Sequence, residues 1–130
     1  MKLFLGGTCN ESTWRDQLIP HLKTDYFNPI VEEWTLEDYE RELEARENCD
    51  YCLYVITPLM TGFYSIAEVI DDSNKRPEKT LFCFLDSENG RQFSAVQQTS
   101  LLSVGKMVEI NGATWFKSFD ELIAFVSKLR

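Results

Sequence analysis

The stretch Thr61-Gly-Phe-Tyr-Ser-Ile-Ala-Glu-Val69 carries one carboxylate, Glu68, where a helical pattern follows an apolar run. Three uses are open to that side chain. Ser65 and Glu68 stand three apart, the spacing of a capping box in which Glu68 reaches back to the Ser65 N–H. A helix starting earlier, near Gly62, instead puts Glu68 in its second turn on a polar face with Thr61, Tyr64 and Ser65, opposite Phe63, Ile66 and Ile70. On that face it meets either water or a ligand, and a carboxylate aimed at a ligand is a competent nucleophile.

Other segments hold chemistry-bearing residues at suggestive spacing. Cys49-Asp-Tyr-Cys52 matches C-x-x-C, but a zinc site needs about four ligands, and the chain offers no second cysteine pair and a single histidine, His21. A thioredoxin-like pair opens a helix, whereas Cys52 falls within the apolar run YCLYVI, so the pair reads as buried structural thiols. The segment GGTCNEST after the first apolar run supplies small residues and hydroxyls, yet it is neither G-x-G-x-x-G nor followed by G-K-[ST], which disfavours nucleoside triphosphate chemistry. Gly6 and Gly7 also stand where a phospho-acceptor domain needs metal-binding carboxylates, so no metal is expected. Asn28 carries paired donor and acceptor groups and Trp34 a flat apolar face on which a base could lie; Asn28-Pro29 is also common turn chemistry, and a Trp ahead of a helix is often a packing residue.

The elements that must position these residues follow from composition and periodicity. With 130 residues, 44% of them hydrophobic, the chain suits one domain with a real core. Its 13 Lys and Arg against 21 Asp and Glu give a formal charge of −8 without a basic track, which argues against duplex nucleic acid. No apolar run approaches the roughly 20 residues of a membrane span, and MKLFLGG is too short an apolar start for a signal peptide, so a cytoplasmic protein is expected.

Apolar runs at Lys2 to Leu5, Asp50 to Thr57 and Thr80 to Leu85 read as central strands covered on both faces. Helical spacing recurs at Trp14, Leu18 and Leu22, at Leu36, Tyr39 and Leu43, and at Phe119, Leu122, Ile123, Val126 and Leu129. Thr13 with Asp16, Thr35 with Asp38, and Ser118 with Glu121 have capping-box spacing, in full form only for the last. Glu37 with Arg41 and Glu42 with Arg46 form i,i+4 pairs on a face that reads as solvated, and Asp71 and Asp72 read as exposed. The expected order is strand 2–5, helix 13–22, strand 25–27, helix 35–47, strand 51–57, helix 63–73, strand 80–85, helix 91–103, strand 107–110 and helix 118–129, with Pro20 kinking or ending the first helix. Asn111-Gly112 between MVEI and ATWF points to an antiparallel ribbon at a C-terminal edge.

Alternating strands and helices predict an α/β fold: a flavodoxin-like three-layer α/β/α sandwich of about five parallel strands in order 2-1-3-4-5. In that topology the ligand crevice lies beyond the first and third strands, at the loops Gly6 to Thr13 and Pro58 to Ser65.

The segments LGGTCNESTWRDQLIPHL, YFNPIVEEW and CDYCLYVITPLMTGFYSIAEV together resemble the nucleoside 2-deoxyribosyltransferase-like proteins, and the similarity runs through TLFCFLD to the last helix. The resemblance is closest to a branch sharing the segment found here from Gly62 to Glu68. It implies cleavage or exchange of the N-glycosidic bond of a nucleoside or nucleotide, without a cofactor, with Glu68 as the nucleophile. It further implies a sugar site built from Gly6, Gly7, Thr8, Tyr64 and Ser65, with Gly62 at the start of the shared segment; Asn28 and Trp34 stand beside it as candidate ligand contacts, with their turn and packing roles still open. Characterised relatives often carry an acid shortly before the nucleophile to serve the leaving base; LMTGFYSIA has none. Some relatives borrow a residue from a neighbouring subunit, so a homo-oligomer is an expectation too. Two other readings share the topology: a TIR-like NAD glycohydrolase, and a nucleotide-binding or sensing module without catalysis.

Overall fold

The computed structural model describes residues 1–9, 11–31 and 33–130; Asn10 of the glycine-rich loop and Glu32 of the YFNPIVEEW segment lie outside the described residues. The elements are β1 (Lys2–Gly7), α1 (Trp14–Leu18), β2 (Asp25–Phe27), α2 (Leu36–Asn48), β3 (Tyr51–Ile56), α3 (Tyr64–Lys75), β4 (Thr80–Phe84), β5 (Ser87–Glu88), β6 (Arg91–Gln92), α4 (Ala95–Ile110), β7 (Thr114–Phe116) and α5 (Phe119–Val126).

Five strands form one parallel sheet in the order β2-β1-β3-β4-β7. Its central strands are apolar on both faces because both are covered. On β3, Cys52, Tyr54 and Ile56 point into one core with Phe4, Val69, Phe82, Leu101 and Val108. Leu53 and Val55 point into the other with Leu3, Leu5, Trp14, Leu18, Leu122 and Val126. Helices α1 and α5 thus cover one face, and α2, α3 and α4 the other. The chain passes outward from β1 to β2 and then returns to β3 on the far side of β1, so the winding reverses between β1 and β3. A crevice opens there at the carboxyl ends.

The structure corrects several local expectations. The α1 helix stops at Leu18 and tightens into a single 3-10 turn, Ile19–His21, as Pro20 requires. The segment 107–110 is not a strand: it completes α4, whose Leu101, Gly105 and Val108 face inward at helical spacing. Asn111-Gly112 therefore makes no C-terminal edge ribbon. It ends the helix, with Gly112 at φ 97° and the Ala113 N–H donating to the Val108 carbonyl at 3.0 Å. The edge strand that follows, β7, runs parallel to β4.

A second Asn-Gly pair makes the hairpin instead: Asn89 and Gly90, at φ 53° and 81°, join the antiparallel β5 and β6. Those strands displace the start of α4 to Ala95, where Ser94 and Gln97 form a reciprocal capping box. Thr35 and Asp38 form the same full box on α2, since an Asp side chain reaches the Thr35 N–H at 3.0 Å. Ser118 caps α5 by accepting from the Glu121 N–H, but Glu121 itself accepts from Lys117, one residue further back. Thr13 makes no side-chain cap bond to α1.

Candidate active site

The end of β1 is held by backbone and by one buried cation. Gly7 adopts φ 116°, and a Cβ there would lie 2.1 Å from the Val55 carbonyl oxygen, so only glycine fits. Gly6 packs against the Tyr54 ring, where a Cβ would lie 2.6 Å from Cε1; its role is to let strand and ring approach. The Thr8 hydroxyl accepts from the Thr57 N–H at 2.9 Å, tying the two crevice loops together. Arg15, buried on α1, donates to the Leu5 carbonyl at 2.8 and 3.0 Å and to the Thr8 carbonyl at 2.7 Å, satisfying backbone groups that the strand end leaves open. Glu88, in the hairpin, accepts from the Ser12 hydroxyl at 2.7 Å and the Thr13 N–H at 3.0 Å, which fixes the outer part of the same loop.

Glu68 does not cap a helix. The α3 helix begins at Tyr64 with Phe63 as its N-cap residue, so Ser65 is already helical and its hydroxyl makes no cap bond. Glu68 falls in the second turn, only 8% exposed, neither in bulk water nor on its own helix start. The inward side of α3 is consequently charged: Asp72, one turn on, is fully buried.

A cation from α2 meets these acids. Arg46 lies within the fold instead of pairing with Glu42 on the surface, and its side chain is 4% exposed. Its Nε and Nη2 donate to the two Asp72 oxygens at 3.2 and 3.0 Å, and Nη2 reaches Asp71 at 2.8 Å. Its Nη1 stands 3.7 Å from Glu68 Oε2, an ion pair without a hydrogen bond. Asp72 also accepts from the Tyr54 hydroxyl and, at 2.5 Å, from Arg76 Nη2. Tyr54 is kept as the neutral phenol, pushed up by burial and then by the charges of Asp72 and Glu68. Burial likewise pushes Glu68 up to about 7 from its ordinary 4.5; Arg46 opposes the rise, while Glu42 and Asp72 add to it.

Two adjoining cavities meet at this helix start. One, of about 560 Å³, is lined by Cys9, Trp34, Tyr39, Glu42, Tyr64, Ser65 and Glu68. The other, of about 250 Å³, is lined by Gly7, Thr8, Cys9, Ile56, Met60, Thr61, Gly62, Tyr64 and Ser65. Cys9, Tyr64 and Ser65 belong to both, so the space is one cleft with an aromatic, acidic end and an end of glycines and hydroxyls. Trp34 is 57% exposed and meets the Tyr39 ring edge-on at 5.4 Å between centroids. Glu42 is half-buried on the α2 wall, and burial raises it above the usual carboxylate range, with partial opposition from Trp34 and Arg46.

Of the residues singled out from sequence, Gly7, Thr8, Trp34, Gly62, Tyr64, Ser65 and Glu68 line this cleft. Gly6 lines neither cavity and supports it from beneath. Asn28 stays outside: it is exposed, and its side chain accepts from the Ile30 N–H at 3.2 Å, the turn role that Asn-Pro also allows. Sequence reasoning passed over Glu42, Arg46 and Asp72. Their i,i+4 and adjacent-acid spacing looks like solvated helix surface, and only the packing of α2 against α3 turns them inward.

Cys49 and Cys52 are buried thiols; the Cys52 thiol donates to the Arg46 carbonyl at 3.2 Å, and burial pushes it up to about 12. Among the described residues no three His, Cys, Asp or Glu side chains are grouped to hold a metal ion, and no helix is long and apolar enough to cross a membrane.

No curated protein matches the chain. A family model described as nucleoside 2-deoxyribosyltransferase like matches residues 1–87, about two thirds of the chain and the whole span from β1 to the end of β4 that carries Glu68 and the glycine loop. On that match, over a parallel sheet whose crevice holds a buried glutamate at the position the resemblance marks, the chain belongs to the nucleoside 2-deoxyribosyltransferase-like family.

Proposed function

We propose that this protein cleaves or exchanges the N-glycosidic bond of a nucleoside, deoxynucleoside or nucleotide, with Glu68 as the nucleophile. The observation that carries the reading is the environment of Glu68: a buried carboxylate on the wall of the cleft, opposed by a buried guanidinium 3.7 Å away. A structural acid on a helix surface needs neither.

In the first half-reaction a Glu68 oxygen bonds to C1′ as the C1′–N bond breaks, and the bonding pair leaves with the base. Glu42, the second carboxylate of the same cavity, is the group placed to pass a proton to the base nitrogen. In the second half-reaction water or another base attacks C1′, the ester bond's electron pair returns to Glu68, and the Glu42 carboxylate takes up the proton. Two inversions give net retention. The flat faces of Trp34, Tyr39 and Tyr64 suit a base, and the Gly7, Thr8, Thr61, Gly62 and Ser65 end suits the sugar.

The test is release of free base from a panel of nucleosides, deoxynucleosides, their 5′-phosphates and NAD, run on the parent and on Glu68→Ala. The expected result is base release by the parent, rising with pH through about 7 as Glu68 ionises, and loss of that release in a folded variant. Equal release by both proteins would remove Glu68 from the reaction. Nicotinamide release alone would select the NAD glycohydrolase reading.

A further inference from the structure

The Arg46 guanidinium is fixed by side chains before any ligand arrives. Asp72 grips its Nε and Nη2 in a fork, Asp71 takes a further bond from Nη2, and Asp72 is itself held by Tyr54 from β3 and by Arg76. A planar guanidinium gripped along one edge has no freedom to turn. Its remaining nitrogen, Nη1, is thereby presented to Glu68, close enough to act as a charge and too far to share its proton.

Resting on the reading of Glu68 as the nucleophile, we infer that Arg46 is a positioning residue for the reaction: clamped by Asp72, it orients the Glu68 carboxylate toward the cleft and holds it in the ionised form that attacks. The arrangement separates two tasks. Asp72 satisfies the charge of Arg46 in the core, and the edge left over acts on Glu68 without neutralising it by direct contact.

The groups facing Glu68 come from three elements. Arg46 and Glu42 project from α2, Asp72 and Tyr64 from α3, and Tyr54 from β3; Cys9 and Tyr39 share its cavity. Among them Arg46 is the sole cation, so the others either raise Glu68 or leave it unchanged. Removing Arg46 therefore moves the ionisation of Glu68 in one direction.

The experiment titrates Glu68 directly, by carbon NMR of its side-chain carboxyl, assigned with Glu68→Gln, in the parent, Arg46→Gln and Arg46→Lys. It also records the pH profile of base release in each. With Arg46→Gln the Glu68 midpoint and the acid limb of kcat/KM should both rise by about one pH unit or more, the usual effect of losing an opposite charge within 4–6 Å. With Arg46→Lys the midpoint should stay near the parent's while kcat falls, because a flexible ammonium keeps the charge and loses the fork.

Should Arg46→Gln fail to fold with Asp72 left to Arg76 and Tyr54 alone, the comparison of Asp72→Asn with Arg46→Gln/Asp72→Asn isolates Arg46, and the same rise is expected in the double variant. An unchanged midpoint in either folded comparison overturns the inference. The titration needs no substrate, so it stands or falls separately from base release, whose survival in Glu68→Ala would remove the nucleophile reading instead.

Discussion

Substituting Glu68→Gln should stabilise this protein, with a gain that begins above about pH 4.5, where the unfolded carboxylate ionises, and is complete once the native carboxylate ionises near pH 7. The folded chain holds Glu68 up at about 7 against an ordinary 4.5, chiefly because it is buried. A group whose folded pKa is raised contributes its full stability below the unfolded pKa and loses it as pH rises through the folded one. Below about pH 4.5 both states are protonated and nothing is lost; between there and about 7 the unfolded chain ionises freely while the folded chain resists. The interval, at about 1.4 kcal/mol per pH unit, comes to about 3 kcal/mol of destabilisation fully expressed by about pH 8.

Glutamine keeps the shape of the protonated acid and never ionises, so it escapes that cost. Urea unfolding of the parent and Glu68→Gln at pH 8 and pH 4 is the assay. The variant should gain stability at pH 8, by up to about 3 kcal/mol, with the gap closing to near zero at pH 4. Equal stabilities at pH 8, or a variant that is weaker there, would mean that Arg46 fully compensates the buried charge and that Glu68 is a structural ion-pair partner.

Gly105→Ala should destabilise although Gly105 lies inside α4, where alanine is the better helix former by about 1 kcal/mol. A Cβ there would lie 2.4 Å from the Trp115 ring, which is confined by stacking on Phe84 at 6.2 Å and by the Lys117 ammonium over its face, and overpacking of that kind costs about 1–3 kcal/mol. A lowered urea midpoint is expected, and a raised one would show that the ring shifts freely. Trp34→Ala should leave the urea midpoint nearly unchanged, since Trp34 is largely exposed, while raising KM for nucleoside about fivefold through loss of about 1 kcal/mol of ring contact at unchanged kcat. An unaltered KM would place the base elsewhere in the cleft.

Much of the fold was legible because its signals are dense and mutually consistent. The run YCLYVI reads as a strand covered on both sides, and the position of the β1 and β3 ends follows from the alternation of strands and helices. The errors arose where one local signal has two uses. Asn-Gly occurs twice, at 89–90 and 111–112; both glycines take positive φ, but one pair turns a hairpin and the other closes a helix, and the dipeptide itself does not distinguish them. Ser65 and Glu68 have capping-box spacing within a helix that has already begun.

The site was half legible for the same reason. Glu68 and the glycine loop lie at the ends of strands, where topology predicts a crevice. Arg46, Asp72 and Glu42 are charged residues on helix faces, and whether such a face meets water or another helix is decided by residues far away in sequence.

The two faces of the sheet bear out that division of labour. Beneath α1 and α5 the core is apolar, and its buried cation, Arg15, spends its donors on backbone carbonyls. Beneath α2 and α3 the core admits Arg46, Asp72, Tyr54 and Glu68 together. Stability does not call for such a cluster, because apolar side chains of similar volume in place of a buried ion pair are commonly as stable or more so. Arg46 and Asp72 are well satisfied by each other. Glu68 has charge opposite it but no hydrogen bond from that charge, and it lines the larger of the two cavities. A buried carboxylate that faces a cation across 3.7 Å, without a hydrogen bond from it, is costly to ionise in the free protein. On the proposed reading, a ligand that brings developing positive charge to this carboxylate, as the anomeric carbon of a sugar does when its base departs, is stabilised by it at the moment of reaction.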